Sequence, residues 1–239
     1  MEWIVPEGQA NQYYDFCDLA SKDDATFNTF KTHPIYTPIL SHVRDFMGDE
    51  YAENIAKVYP HLLDDDRFLI NDKFGGAPTM QTKSGLVIDP TTLRYLRQIG
   101  DITSLCSPNS VVEIGGGYGG LSLMLRQYAD IKSYYIHDMR GPVNLASTYL
   151  GKHGYKLDQS PRDKYDLVVS SFAWCELVED VRQRYIDDVF AKADYGYIVA
   201  KRTYSSMHYE YIKNVLGKNL KTRPYSESIQ HYDIMVWIP

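Results

Sequence analysis

The run SVVEIGGGYGGLSLMLRQ, residues 110–127, passes from β-favouring residues through a glycine cluster into an apolar helical segment. Val111, Val112 and Ile114 are what a strand buried on both faces requires. Five glycines follow within six residues, broken only by Tyr118. Leu121, Leu123, Met124 and Leu125 then continue as a helix. Strand, glycine turn and helix in this order place free backbone N–H groups and a positive helix end beside a ligand of nucleotide type.

Beyond this stretch, strand and helix patterns alternate, which predicts a largely parallel sheet with helices on both faces. A second strand spans 133–136 and ends at His137 and Asp138. Gly141-Pro142 opens a helix carrying Val143, Ala146 and Leu150, with Gly151 and Gly154 at its end. A short strand is expected at 155–157 and a buried one at 165–170. The loop SFAWCE leads to a helix through Val178, Val181 and Tyr185. A strand at 197–200, a helix through Tyr209, Ile212 and Leu216, and strands at 221–225 and 232–238 complete the chain.

Upstream the pattern is helical. Tyr13, Phe16, Cys17 and Ala20 share one helical face; so do Ile39, Val43, Phe46 and Met47, and again Ala52, Ile55, Ala56 and Tyr59 before Pro60. Asp64, Asp65 and Asp66 point different ways and read as a solvated loop. Residues 71–89 are rich in glycine and lack a helical period; they read as an ordered loop, either a flap or a plain connector. Asp89-Pro90 is a helix start, with Leu93, Leu96 and Ile99 on its apolar face. The division expected is a helical extension over 1–105 and the main α/β domain over 106–239.

The 239 residues are 44% apolar and 23% charged, values of a soluble globular chain large enough for a substantial core. A net charge of −6 argues against a general nucleic-acid surface, leaving Lys218, Lys221 and Arg223 as a local basic patch. Cys17, Cys106 and Cys175 have no metal-type spacing and point to a reduced, cytoplasmic chain. The opening MEWIVPEGQA carries no basic, long apolar leader, and no apolar run approaches a membrane span. The 21 tyrosines either serve as core aromatics or line a site for sugars and other polar ligands with flat faces.

Two fingerprints overlap on the glycine turn. Gly115, Gly117 and Gly120 fit the dinucleotide pattern G-x-G-x-x-G. Glu113 with Gly115, Gly117 and Gly119 resembles E-x-G-x-G-x-G, the pattern of class I methyltransferases. Both want an acid closing the second strand, and Asp138 supplies it. Glu113 and the closing strand pair favour the second, and the chain after Asp138 is too short for a dinucleotide fold with a catalytic domain. The resemblance implies a Rossmann-like class I methyltransferase fold, a mostly parallel seven-stranded sheet with an antiparallel C-terminal strand. It also implies S-adenosylmethionine as cofactor, held by Glu113, Gly115, Gly116, Gly117, Tyr118, Gly119, Asp138, Met139 and Ser171. Asp158 is a weaker candidate for the adenine amino group, a surface loop acid being the other reading.

The loop SSFAWCEL lacks the N/D-P-P-Y/F of enzymes that methylate base amino groups, and the chain has no Pro-Cys nucleophile. Glu176 and Glu179 lie too close to form a paired-glutamate loop. A small molecule or glycan remains as acceptor. EIGGGYGGLS, TTLRY at 91–95 and the serine-aromatic-Ala-x-x-Glu-Leu loop after YDLVVS together resemble the sugar O-methyltransferase family, from about residue 71 to the final strand. The ribose loop HDMRGP departs from the family's D-L-P-like turn, and Trp174-Cys175 replace smaller or polar residues. The resemblance implies methyl transfer to a sugar hydroxyl of a glycan or nucleotide-sugar precursor.

Glu176 is the first candidate for general base, with helix N-terminal electrostatics as its other reading. His208 is the second, and His137 a weaker third. Tyr118 is expected to cover the cofactor's methionine portion or line the acceptor pocket. Trp174 either stacks on a sugar ring or packs in the core. No metal is expected, since Asp138 and Glu176 are the only acids placed for one. The N-terminal helices and residues 71–84 would act as a lid that selects the acceptor. Two other classes stay open: an O-methyltransferase for another small hydroxylated metabolite, and a non-catalytic binding subunit of the same fold.

Overall fold

The computed structural model describes residues 9–39, 43–217, 219–225 and 232–239. Lys218 of the basic patch and the first eight residues of the leader reading lie outside the described residues. The amphipathic run at Tyr13 forms α1 (Gln9–Ala20), whose Tyr13, Phe16, Cys17 and Ala20 are buried. The short α2 (Asp24–Phe27) follows, capped by the Asp23 carboxylate on Thr26 N at 2.7 Å. α3 (Asp45–Val58) stops at Tyr59-Pro60. Its phase corrects one sequence expectation: Ile39 precedes the helix, Phe46 is 60% exposed, and the buried face is Gly48, Tyr51 and Ile55.

Residues 71–89 form an ordered loop, as read. Asn71 is fully buried, and β1 (Met80–Gln81) pairs antiparallel with β2 (Val87–Ile88). α4 (Pro90–Leu105) begins as read, with the Asp89 carboxylate accepting from Thr91 N at 2.8 Å. It is buried from Pro90 to Ile102 because α3 lies along it.

The remaining strands are β3 (Ser110–Ile114), β4 (Ser133–His137), β5 (Tyr165–Ser171), β6 (Ala193–Lys201), β7 (Asn219–Pro224) and β8 (Tyr232–Ile238). They form one sheet in the order β4-β3-β5-β6-β8-β7. The first four are parallel, and β8 runs antiparallel between β6 and β7. Between them lie α5 (Gly120–Tyr128), α6 (Arg140–Lys152), α7 (Glu179–Asp188) and α8 (Arg202–Leu216).

Among the described residues the sheet has six strands, where the sequence reading gave seven. The expected strand at 155–157 is absent because its backbone groups are taken elsewhere. Tyr155 N donates to Leu150 O at 2.9 Å, and Arg126 takes the Lys156 carbonyl at 3.1 Å. Only Asp158 N reaches β4, donating to Tyr134 O at 2.9 Å. One core joins the N-terminal aromatics Phe27, Phe30 and Tyr36 to Tyr118 and Tyr149, and α1 lies along α6. A second fills the opposite face beneath α7 and α8. Among the described residues no helix is long and apolar enough to cross a membrane.

Candidate functional site

β3 and β4 are in register from Ser110–Ser133 to Ile114–His137, so their C-terminal ends finish side by side. Gly115 N extends the ladder by donating to His137 O at 2.8 Å. Gly115 has φ +75, and a Cβ on it would meet the Ala173 Cβ at 2.0 Å. Only glycine allows this turn to lie against the loop that follows β5. Gly117 also has positive φ, +53, which aims its N–H at the end of β4. There the Asp138 carboxylate accepts from Gly117 N at 2.9 Å and from Met139 N at 2.7 Å. Burial raises the pKa of Asp138 to about 6, although these two hydrogen bonds pull the other way.

Glu113 sits one step inside β3. It is buried, accepts from Tyr134 OH at 2.8 Å, and has its pKa raised to about 7 by burial. The doubled glycines serve packing. A Cβ on Gly116 would meet Ile136 at 2.7 Å, and one on Gly120 would meet the Tyr118 ring at 2.5 Å. Gly119 caps α5 with φ +84.

The side chain of Tyr118 leaves the turn and corrects the expectation that it faces a ligand. It is buried, stacks edge-on to Tyr149 at 4.9 Å, and accepts from Asn71 Nδ2 at 2.9 Å. Lys31 lies 4.8 Å from its ring centre and donates to the Asn71 carbonyl. Burial lowers the pKa of Lys31 to about 8, opposed by Asp89 and Asp72. Tyr118 thus ties the glycine turn to the N-terminal segment.

The loop after β5 is the third wall. Ser170 Oγ donates to Ile114 O at 3.1 Å and accepts from Trp174 N at 3.0 Å, locking this loop to the end of β3. Ser171 Oγ accepts from Gln98 Nε2 at 2.8 Å. Phe172 has φ 74 and ψ −32, the one positive φ outside glycine among the described residues. Such strain persists where surrounding structure imposes it, and it clusters at functional sites. Its ring packs on Tyr225 at 5.3 Å and Tyr232 at 5.0 Å. Glu176 closes the helical turn Ala173–Glu176. Glu176 is exposed at the surface of this loop, and partial desolvation by its surroundings raises its pKa, against the pull of Lys201.

Tyr14 of α1 belongs to the same neighbourhood. A Cβ on Gly141 would come within 2.1 Å of the Tyr14 carbonyl oxygen, so α1 lies directly on the start of α6 beside Asp138. Burial and the charges of Asp138 and Glu176 push the Tyr14 phenol up to about 12. Sequence periodicity placed Tyr13 on the buried face of α1; no local signal marked Tyr14, because its partners are far away in the chain.

Asp158, His208 and Trp174 lie away from the turn, while His137 ends β4 beside it. Asp158 accepts from Ser133 Oγ at the start of β4, some four residues and roughly 13 Å from His137. The structure therefore does not bring it to the turn. His208 is 5% exposed, packs against Trp174 at 5.6 Å, and has its pKa lowered first by burial. It sits in the second core instead of at the turn. Trp174 is fully buried with Nε1 donating to Arg182 O at 3.3 Å, which is its core reading. His137 packs between Tyr135 and Tyr185, and burial lowers its pKa to about 4. Among the described residues no group of three or more His, Cys, Asp or Glu could hold a metal ion.

Solved structures resemble this arrangement. The methyltransferase domain of bacterial CtHen1-CN matches with a TM-score of 0.51 and 15% identity, over 61% of this chain and 97% of that one. The fold is that of the class I methyltransferases. Magnesium protoporphyrin IX methyltransferase (ChlM) from Synechocystis PCC 6803 with bound SAM matches at 0.49 and 13%, over 80% and 96%. M. capricolum TrmK in complex with S-adenosyl-homocysteine matches at 0.46 and 13%, over 59% and 67%. No protein-family model matches the sequence, and no curated protein matches it.

Proposed function

We propose that this chain is an S-adenosylmethionine-dependent O-methyltransferase acting on a sugar hydroxyl. The observation that carries the methyl-transfer reading is the meeting of Gly117 N–H and the Asp138 carboxylate, 2.9 Å apart, beside the Glu176 loop. The residues fit the cofactor. A carboxylate has about four lone-pair positions, and Asp138 spends two on backbone N–H groups, which leaves capacity for a ribose diol. The sulfonium, when bound, supplies an already activated methyl group. The protein's share is position and a base.

Glu176 takes the acceptor's proton; its raised pKa brings its basicity closer to that of the working solution. Tyr14 and α1 cover the Asp138 side and exclude water. The sugar acceptor is supported by the EIGGGYGGLS and TTLRY resemblance and by the net charge of −6, which disfavours a polyanion. Three free thiols, Cys17, Cys106 and Cys175, suit a reducing, cytoplasmic setting. Incubation with labelled S-adenosylmethionine and a panel of sugar nucleotides and glycans, read by mass spectrometry, tests the reading. Label on a sugar oxygen is expected; label confined to RNA or protein overturns the acceptor.

A further inference from the structure

α1 and α6 lie side by side and run in the same direction. The Tyr14 carbonyl lies against Gly141, Asn144 Nδ2 donates to Asp18 at 2.7 Å, and Thr148 Oγ1 donates to Ser21 O at 3.1 Å. Tyr14, Asp18 and Ser21 follow the i, i+4, i+7 spacing of one helix face. Their partners on α6 advance by the same three or four residues at each step, so the two helices keep pace along their length.

Tyr14 stands where α6 starts. Helix side chains lean toward the helix N-terminus and cover the turn before their own Cα. Carried one turn back along α6 from Gly141, that lean brings the Tyr14 side chain level with Asp138, just ahead of the helix start at Arg140. Its neighbour Tyr13 is buried in the core, edge-on to Tyr14 at 5.5 Å, whereas Tyr14 itself is half-buried. Among the described residues the Tyr14 hydroxyl has no hydrogen-bond partner.

Two carboxylates act on this phenol, Asp138 more strongly than Glu176. They flank the end of β3, one at the end of β4 and one on the loop after β5. A ribose diol presents two O–H donors together with oxygen lone pairs. Asp138 can take the protons, but the lone pairs need a donor of their own. The backbone N–H groups at hand, those of Gly117 and Met139, are already spent on Asp138. The Tyr14 phenol supplies what is missing. Burial and the surrounding charges push its pKa up to about 12, so it keeps its proton under working conditions.

We propose that Tyr14 is a binding residue for the cofactor's ribose, its phenol donating to a hydroxyl oxygen whose own proton goes to Asp138. The proposal rests on the methyl-transfer reading above and extends the cofactor pocket of that site to the N-terminal helix. One ribose hydroxyl is then held from two elements at once, by the end of β4 and by α1. The docking of α1 on α6 sets the height of the phenol, so the N-terminal segment contributes to cofactor affinity as well as to packing.

The test titrates the full chain, wild type and Tyr14→Phe, with S-adenosylhomocysteine and with its 2′-deoxy and 3′-deoxy analogues. Tyr14→Phe keeps the ring and removes only the hydroxyl. It is expected to weaken S-adenosylhomocysteine about 3- to 10-fold. For the analogue lacking the contacted hydroxyl, wild type and variant are expected to bind equally, which a double-mutant cycle reads as coupling. Amide hydrogen exchange in α1 is expected to be the same in both proteins. Equal affinity of the two proteins for S-adenosylhomocysteine overturns the proposal. So does an equal loss for all three ligands, or a loss accompanied by faster exchange in α1, which would make the phenol a support of the helix only. Failure of the well-folded wild type to bind S-adenosylhomocysteine at all removes the methyl-transfer reading instead, so the two failures are distinguishable.

Discussion

Glu176 and Glu113 are both acids with raised pKa values, but they have different work. Glu176 stands on the loop after β5, and the proposed reaction assigns it the acceptor's proton. Glu176→Gln is expected to leave cofactor affinity unchanged and slow transfer by about 10²–10⁴-fold, measured by steady-state kinetics. The carboxylate is the working form, so the wild-type rate rises with pH through a pKa above the ordinary glutamate value, and that limb disappears in the variant. Glu113 is buried against Tyr134, and its pKa moves from 4.5 to about 7. Between those values the folded protein holds a proton that the unfolded chain has released, so stability from this group falls as pH rises. The full effect is at most about 3 kcal/mol, from about 1.4 kcal/mol per pKa unit. Glu113→Gln is expected to flatten the decline in denaturant midpoint across that window. An equally steep decline in the variant would assign the slope to other groups.

At the scale of elements, the glycine turn is fastened on both sides. Ser170 ties it to the loop after β5, and Tyr118 ties it to the N-terminal segment through Asn71 and Lys31. The contact of α1 with α6 depends on Gly141, where a Cβ would press on the backbone of Tyr14. Gly141→Ala is therefore expected to lift α1, destabilise the protein by about 1–3 kcal/mol, and speed hydrogen exchange in α1. Unchanged exchange would show that α1 is not held there. The turn and Asp138 were legible in the sequence because their chemistry is local: a strand, five glycines, and an acid at a fixed spacing. The phase of α3 was not, since Phe46 lies exposed while Gly48 is buried beneath Met80 and Pro90. Nor was the polar stripe of α4. Arg97 and Asp101 are buried because Tyr59, Tyr197 and Arg223 reach them from distant segments. The orientation of Tyr118 was hidden for the same reason: its partners Asn71, Lys31 and Tyr149 lie on either side of the turn in sequence.

Over the whole molecule, charge separates acceptor classes. The chain carries −6. Binding of a neutral sugar releases few counterions, whereas a nucleic acid gives a log–log salt slope near −0.7 to −0.9 per phosphate contact. The KM for the acceptor is thus expected to stay flat between low and moderate salt; a steep rise would point to a polyanionic acceptor. Missing the expected edge strand leaves β4 as the outer strand without disturbing the C-terminal ends of β3, β4 and β5, where the site is assembled. The proposed function depends on Asp138 and the glycine turn receiving S-adenosylmethionine. Isothermal titration of wild type and Asp138→Ala with that cofactor tests it most directly. Wild type is expected to bind and the variant to lose about 1–3 kcal/mol of affinity, while no binding by folded wild type, or equal binding by both, contradicts it.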